Sequence, residues 1–186
     1  MSRCEPEPEP VVLPKPEPKI RPSQLPELEK GQHHVFISYT GRDKGKDAAF
    51  QALLSNLKGY GLNVFNPKED PAGEALPTDK MCQHAANSML TLALLSPNFF
   101  SSKYCRAQVE ASAASQFCQD VIPVFAGEYY TRSEVTALFK DERPECHVAI
   151  NAVRKLNVLD VHNLTHMDNC VVSIRTKIID RLVKTL

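Results

Sequence analysis

The sequence has no excess of charge of either sign. Its 186 residues carry 22 basic and 22 acidic side chains, so the formal net charge is zero. A dedicated nucleic-acid binder shows a basic surplus, so that class is not expected. Long apolar runs are also missing. The longest, Met89 to Leu95, falls far short of the ~20 residues a helix needs to cross a bilayer. No basic patch followed by an apolar stretch opens the chain, so a secretory leader is not expected either. The six cysteines, Cys4, Cys82, Cys105, Cys118, Cys146 and Cys170, include no C-x-x-C pair and no cluster with histidine. Cys82 and His84 stand two positions apart, which on a helix points them in different directions, so no metal site is expected. His33 and His34, at the edge of a domain, are expected to be solvated. Reduced thiols and a soluble, cytoplasmic protein are the expectation.

Signatures of phosphate binding and of serine nucleophiles are equally absent. The stretch Tyr39-Thr40-Gly41-Arg42-Asp43-Lys44-Gly45 lacks the G-x-G-x-x-G spacing, which argues against a dinucleotide-dependent dehydrogenase. Neither a G-x-S-x-G elbow nor a Walker sequence occurs.

What is present divides the chain in two. Eight of the 14 prolines lie within the first 26 residues, in Glu5-Pro6-Glu7-Pro8-Glu9-Pro10 and its continuation to Pro26. Proline removes backbone donors and the interleaved charge opposes collapse, so residues 1–33 are expected to be a disordered arm and 34–186 one folded domain. Within the domain, strand and helix signals alternate. Val35 to Tyr39 is a first short strand, and Ala48 to Leu57 carries a helical stripe ended by Gly59 and Gly61. Leu62 to Phe65 is a second strand, followed by a proline-rich loop, Asn66 to Pro77. Thr78 caps a helix to about Asn87. Met89 to Leu95, apolar on both faces, is a central third strand. A helix is expected from Phe99 to Cys118, a fourth strand from Asp120 to Phe125, and a helical piece around Ser133 to Lys140. A fifth strand, Leu156 to Asp160, and a final helix with the stripe Val171 to Val183 close the chain. Such alternation calls for a doubly wound, flavodoxin-like α/β fold with a five-stranded parallel sheet. Ligands then collect at the carboxyl ends of the strands, in the crevice between the first and third.

Four segments in order resemble the boxes of TIR domains. They are Val35-Phe36-Ile37-Ser38-Tyr39 with Asp43; Glu69-Asp70-Pro71-Ala72-Gly73; Leu94-Leu95-Ser96-Pro97-Asn98-Phe99-Phe100-Ser101-Ser102-Lys103-Tyr104-Cys105; and Val121-Ile122-Pro123-Val124. The resemblance covers residues 34 to about 180 and implies two candidate functions. One is self-assembly with hydrolysis of NAD+ at the nicotinamide–ribose bond, in innate-immune, stress or cell-death signalling, with NAD+ as substrate, no bound cofactor, and ADP-ribose or a cyclised product. The other is a non-enzymatic adaptor that works through TIR–TIR contacts alone. Partners in either case are other TIR domains, in a homo-oligomer that can extend to a filament.

Hydrolysis through an oxocarbenium-like state needs a carboxylate beside the anomeric carbon. In the family it is a glutamate on the helix after the third strand. Counted from Cys105, the family's C-x-x-E pattern lands on Gln108, an amide also found in some adaptors. Counted from the fourth strand, it lands on Glu110. The two positions lie about 200° apart on a helix and cannot both face the cleft. A helical projection groups Glu110 with Ala107, Ala111, Ala114 and Cys118, and Gln108 with Ser112, Ser115 and Gln116. Glu110 is therefore the expected catalytic residue, with Gln108 as the competing register. Phe36, Ser38, Tyr39, Arg42 and Tyr104 are the expected substrate-binding residues. Tyr104 stands where many family members have tryptophan, which this chain lacks entirely. The loop bearing Asp70, Pro71 and Gly73, stiffened by proline, is the expected assembly contact.

Overall fold

Strand β1 (His33–Ser38) stands at one end of the strand order, and five of its six residues are buried. The computed structural model describes residues 25–43, 45–70, 76–161 and 164–185. β1 pairs in parallel with β2 (Ser88–Leu94), in the register His33 to Ser88 and Ser38 to Ala93. β2 pairs with β3 (Asp120–Phe125), and β3 with the two-residue β4 (Leu159–Asp160). All three pairings are parallel and the order is β1-β2-β3-β4. Side chains alternate between the faces as the pleat requires. Val35, Ile37, Leu92, Leu94, Ile122 and Val124 enter one core with Leu53, Leu57, Val171 and Ile174. Ala93, Leu95, Val121 and Phe125 enter a second core with Phe99, Phe100, Val109 and Ile150. Full burial of a leucine such as Leu53 or Leu57 stabilises by about 1.5–3 kcal/mol. The fold is doubly wound α/β.

The segment expected as a second strand, Leu62 to Phe65, lies beside β1 but is reduced to one parallel bridge, Val35 to Val64. Its amide at Asn63 donates to the His34 ring at 2.8 Å instead of extending the ladder. Pro67 then turns the chain into a 3-10 segment, Pro67–Glu69. The fifth expected strand survives only as β4.

The helices differ from expectation mainly at their ends. Helix α1 (Lys46–Gly59) starts behind Gly45, whose φ of 73° places it in the left-handed region that glycine alone adopts freely. Helix α2 (Thr78–Ala86) takes Thr78 as its first helical residue and not as its cap; Pro77 stands at the cap position, with no side-chain cap bond. Helix α3 (Lys103–Ala114) is shorter than the expected span. The Ser102 hydroxyl accepts the Cys105 N–H, which sets the start. At the other end Ser115 donates to the Ala86 carbonyl at 2.6 Å and accepts the amides of Phe117 and Cys118, so the chain leaves the helix there. Helix α4 (Arg132–Ala137) opens on a reciprocal cap between Thr131 and Glu134. Helix α5 (His147–Arg154) was not expected, and it buries Ala149, Ile150, Ala152 and Val153. Helix α6 (Leu164–Thr185) begins before its expected stripe. Among the described residues, no helix is long and apolar enough to cross a membrane.

The amino-terminal boundary falls earlier than residue 34. Leu25 and Leu28 pack against the first core, and the His34 ring donates to the Pro26 carbonyl at 3.0 Å. His34 is 6% exposed, and His33 begins β1 with a half-buried side chain; neither is simply solvated. Residues 1–24 of the expected arm lie outside the described residues.

Candidate functional site

A cavity of about 540 Å³ opens beyond the carboxyl end of β1. Tyr39 and Gly41 line it after β1, Phe50 from α1, and Asn66, Pro67 and Lys68 from the 3-10 segment. Leu76, Pro77, Thr78 and Met81 complete the α2 side, and Tyr104 and Gln108 come from α3. Tyr39 is stacked on Phe50 with ring centroids 4.5 Å apart. Tyr104 is 49% exposed, with the Lys103 ammonium 5.2 Å from its ring centre. The expected crevice lay between β1 and the strand now called β2. That space holds a void of only about 10 Å³, closed by Tyr129 and Tyr130.

The orientation of α3 brings Gln108, and not Glu110, to the cavity wall. Its buried residues are Cys105, Gln108, Val109 and Ser112. Gln108 is 8% exposed, and its Oε1 accepts a hydrogen bond from the Ser38 hydroxyl at 2.7 Å. Ser112 bonds Thr91 of β2 at 2.7 Å and the Gln108 carbonyl at 3.0 Å. The side of the helix expected to be solvated therefore faces the sheet. The sheet presents hydroxyls there, at Ser38 and Thr91, so a buried amide and a buried hydroxyl find partners. The alanines are nearly indifferent to exposure, and Ala113 and Ala114 end in solvent.

Glu110 is half-buried and does not line the cavity. Its charge acts instead on Cys82 of α2, whose thiol is pushed up first by burial and then by Asp79 and Glu110. Phe36, 1% exposed, stacks on Phe65 at 5.7 Å in a small cluster with Ala85, behind the cavity-lining Leu76 and Met81 and not itself on the wall. Arg42 is exposed and off the wall; its backbone amide donates to Thr40 Oγ1 at 3.3 Å. Ser38, Tyr39, Tyr104 and Gln108 are thus brought together, and Phe36, Arg42 and Glu110 are not. Of the loop residues, Asp70 stands 3.7 Å from the His84 ring, while Pro71 and Gly73 lie outside the described residues.

Among the described residues the wall carries no carboxylate, and Lys68 is its charged group. Cys105, beside Ser38, is no activated nucleophile. Burial pushes its thiol up, against the opposing hydrogen bonds of Ser102 and Ser38. The chemistry on offer is stacking, hydrogen bonding through neutral groups and one cation.

A further residue organises the rim. Asp43, 8% exposed, accepts hydrogen bonds from the Ser96 hydroxyl, the Asn98 amide at 2.9 Å and the Asn98 side chain at 2.5 Å. It ties the loop after β1 to the loop after β2. Spacing places Asp43 in the first box, but nothing local in the sequence shows its partners more than fifty positions away.

No curated protein matches the chain. Among solved structures, the TIR domains of the activated Roq1 resistosome that recognises the pathogen effector XopQ match it at 18% identity. That match covers 83% of this chain and 99% of the other, with a TM-score of 0.49. A family model described as TIR domain matches residues 35–163. That span runs from Val35 in β1 past the end of β4 and takes in most of the sequence, and the chain belongs to the TIR domain family.

Proposed function

We propose that this protein is a non-enzymatic TIR scaffold in cytoplasmic signalling, binding other TIR domains without cleaving NAD+. One observation carries the reading: of the two α3 side chains on the cavity wall, Tyr104 and Gln108, neither is a carboxylate, and the Gln108 oxygen is occupied by Ser38. An amide bears no charge at any physiological pH, so it can neither stabilise an oxocarbenium ion as an anion nor attack it. Assembly runs through the loop Lys68 to Pro77, which prolines stiffen and which bears Asp70, Pro71 and Gly73. A cytoplasmic setting keeps the five described thiols, Cys82, Cys105, Cys118, Cys146 and Cys170, reduced.

NAD+ hydrolysis with Glu110 as the carboxylate is the second reading. The size of the cavity supports it, since about 540 Å³ falls within the range of small-molecule and cofactor sites. For Glu110 to serve there, α3 would have to turn by about 200°, giving up the Ser38–Gln108 and Thr91–Ser112 bonds.

Incubating the purified full chain with NAD+ while following nicotinamide release and sedimentation separates the two. The scaffold reading expects assemblies that grow with protein concentration and no nicotinamide above the blank. Release that Glu110→Ala abolishes and Gln108→Ala spares would overturn it in favour of the hydrolase.

A further inference from the structure

His34 is held from both sides in a way that fixes its protons. The backbone amide of Asn63 can only donate, and it lies 2.8 Å from His34 Nδ1, so Nδ1 must be the bare, accepting nitrogen. The Pro26 carbonyl can only accept, and it lies 3.0 Å from Nε2, so Nε2 carries the single proton. The ring is neutral and both nitrogens are used. At 6% exposure, water cannot readily replace either partner. The position matters because the sheet edge is thin here. The segment from Leu62 to Phe65 is held to β1 by the one bridge at Val64, a few backbone bonds around it, the His33–Asn63 side-chain bond, the Phe36–Phe65 stack and this ring. It runs directly into Asn66, Pro67 and Lys68 on the cavity wall.

We propose that His34 is an acid-sensitive latch: its protonation releases the edge segment from β1 and loosens the cavity lip formed by Asn66, Pro67 and Lys68. A proton on Nδ1 sets N–H against the Asn63 N–H and abolishes that bond, while the bond from Nε2 to Pro26 survives. The switch therefore acts on one side only. This inference does not depend on the scaffold reading.

The electrostatic surroundings favour release. Burial holds the His34 ring below its ordinary value of 6.5; the Pro26 carbonyl opposes this, and His33 lowers it further. His33 is hydrogen-bonded to His84 of α2 at 3.3 Å and to Asn63 Oδ1 at 3.2 Å. His84 is itself lowered, first by burial and then by His33, with Asp70 opposing and Lys80 adding to the effect. No carboxylate among the described residues shifts His34 itself. A histidine whose folded value lies below its unfolded one favours the latched state at neutral pH. That contribution is lost as pH falls from 6.5 towards the folded value.

The test is amide exchange of the full chain by NMR, with each rate divided by the intrinsic rate at the same pH. Between pH 6.5 and the folded His34 value, protection of the Asn63 amide should fall by up to about tenfold per pH unit, while amides pairing β2 with β3 keep theirs. His34→Asn keeps an acceptor near the place of Nδ1 but cannot titrate, so its Asn63 protection should not depend on pH. The His34 Cε1 proton shift in the unmodified protein supplies a reading that needs no variant. Its midpoint should lie below 6.5 and mark the lower end of the pH range over which Asn63 protection is lost. Constant Asn63 protection down to pH 5, the same acid loss in His34→Asn, or a His34 midpoint above 6.5 would each overturn the proposal.

Discussion

Replacing Asp43 by alanine tests whether one carboxylate holds the two rim loops in place. The side chain receives three hydrogen bonds, from the Ser96 hydroxyl, the Asn98 amide and the Asn98 side chain. Hydrogen bonds to a charged group contribute roughly 1.5–3 kcal/mol each when buried and less when water can replace them. Ser96 is 6% exposed and its bond belongs to the first kind, whereas Asn98 is exposed and recovers water on both of its donors. Against these gains stands the desolvation of a carboxylate that is 8% exposed, which the variant relieves. The balance is a loss of about 2–4 kcal/mol. For a domain of this size that corresponds to a melting temperature lower by about 4–16 °C. Asp43→Asn should lose about half as much. The Ser96 hydroxyl can turn to accept from an amide nitrogen, but the Asn98 N–H sharing that oxygen cannot. Urea unfolding followed by circular dichroism gives both values, and a double-mutant cycle with Asn98→Ala isolates the Asn98 share. A cost below about 1 kcal/mol for Asp43→Ala would show that the loops hold without their tie, and would refute the reasoning.

Two further changes read other parts of the chain. Gly45→Ala should destabilise by more than the roughly 1–2 kcal/mol of a left-handed residue, because its Cβ would lie 2.4 Å from the Tyr129 ring. Gly59→Ala meets nothing within 4 Å and should be neutral or stabilising by up to about 1 kcal/mol; thermal melts of the pair check the contrast. Removing residues 1–24 should leave the melting temperature unchanged, because the proline- and glutamate-rich sequence has little to bury. Removal through Lys30 should lower it by several degrees, because Leu25 and Leu28 leave the core.

The central elements could be read from the chain because burial leaves a periodic trace. The run Met89 to Leu95 became β2 with every residue from Ser88 to Leu94 buried, and α1 followed the spacing of Phe50, Leu53, Leu54 and Leu57. The site was harder, for a reason visible at α3. A helical projection assumes that serine and glutamine seek water, and it has no knowledge of Ser38 and Thr91 waiting on the opposing sheet face. Once those hydroxyls are in place, Gln108 and Ser112 are the residues that fit inward, and alanine-rich positions accept either environment. Thr91 inside an otherwise apolar strand was the available signal, since a lone hydroxyl on a buried strand needs a partner. Helix α5 leaves little trace in the sequence because its stripe of Ala149, Ile150, Ala152 and Val153 is short and follows closely on Pro144. His34 could not be placed because its two partners, Pro26 and Asn63, lie on either side of the strand and far from each other in sequence.

The all-parallel sheet also determines how the chain can come together in time. Among the described strands none is joined to the next by a hairpin; every pairing closes a loop on the order of thirty to fifty residues before any backbone bond is gained. During synthesis at about 5–20 residues per second, β1 leaves the ribosome several seconds before β2 exists to pair with it. Until then Val35, Phe36 and Ile37 are covered by helices α1 and α2, the segment from Leu62 to Phe65 and the preceding Leu25 and Leu28, with no neighbouring strand from β2. β2, apolar on both faces, must in turn await β3 on its other side. Nascent chains of this protein therefore pass through a window in which their most adhesive strands are unpaired, and the native sheet forms late and cooperatively rather than strand by strand.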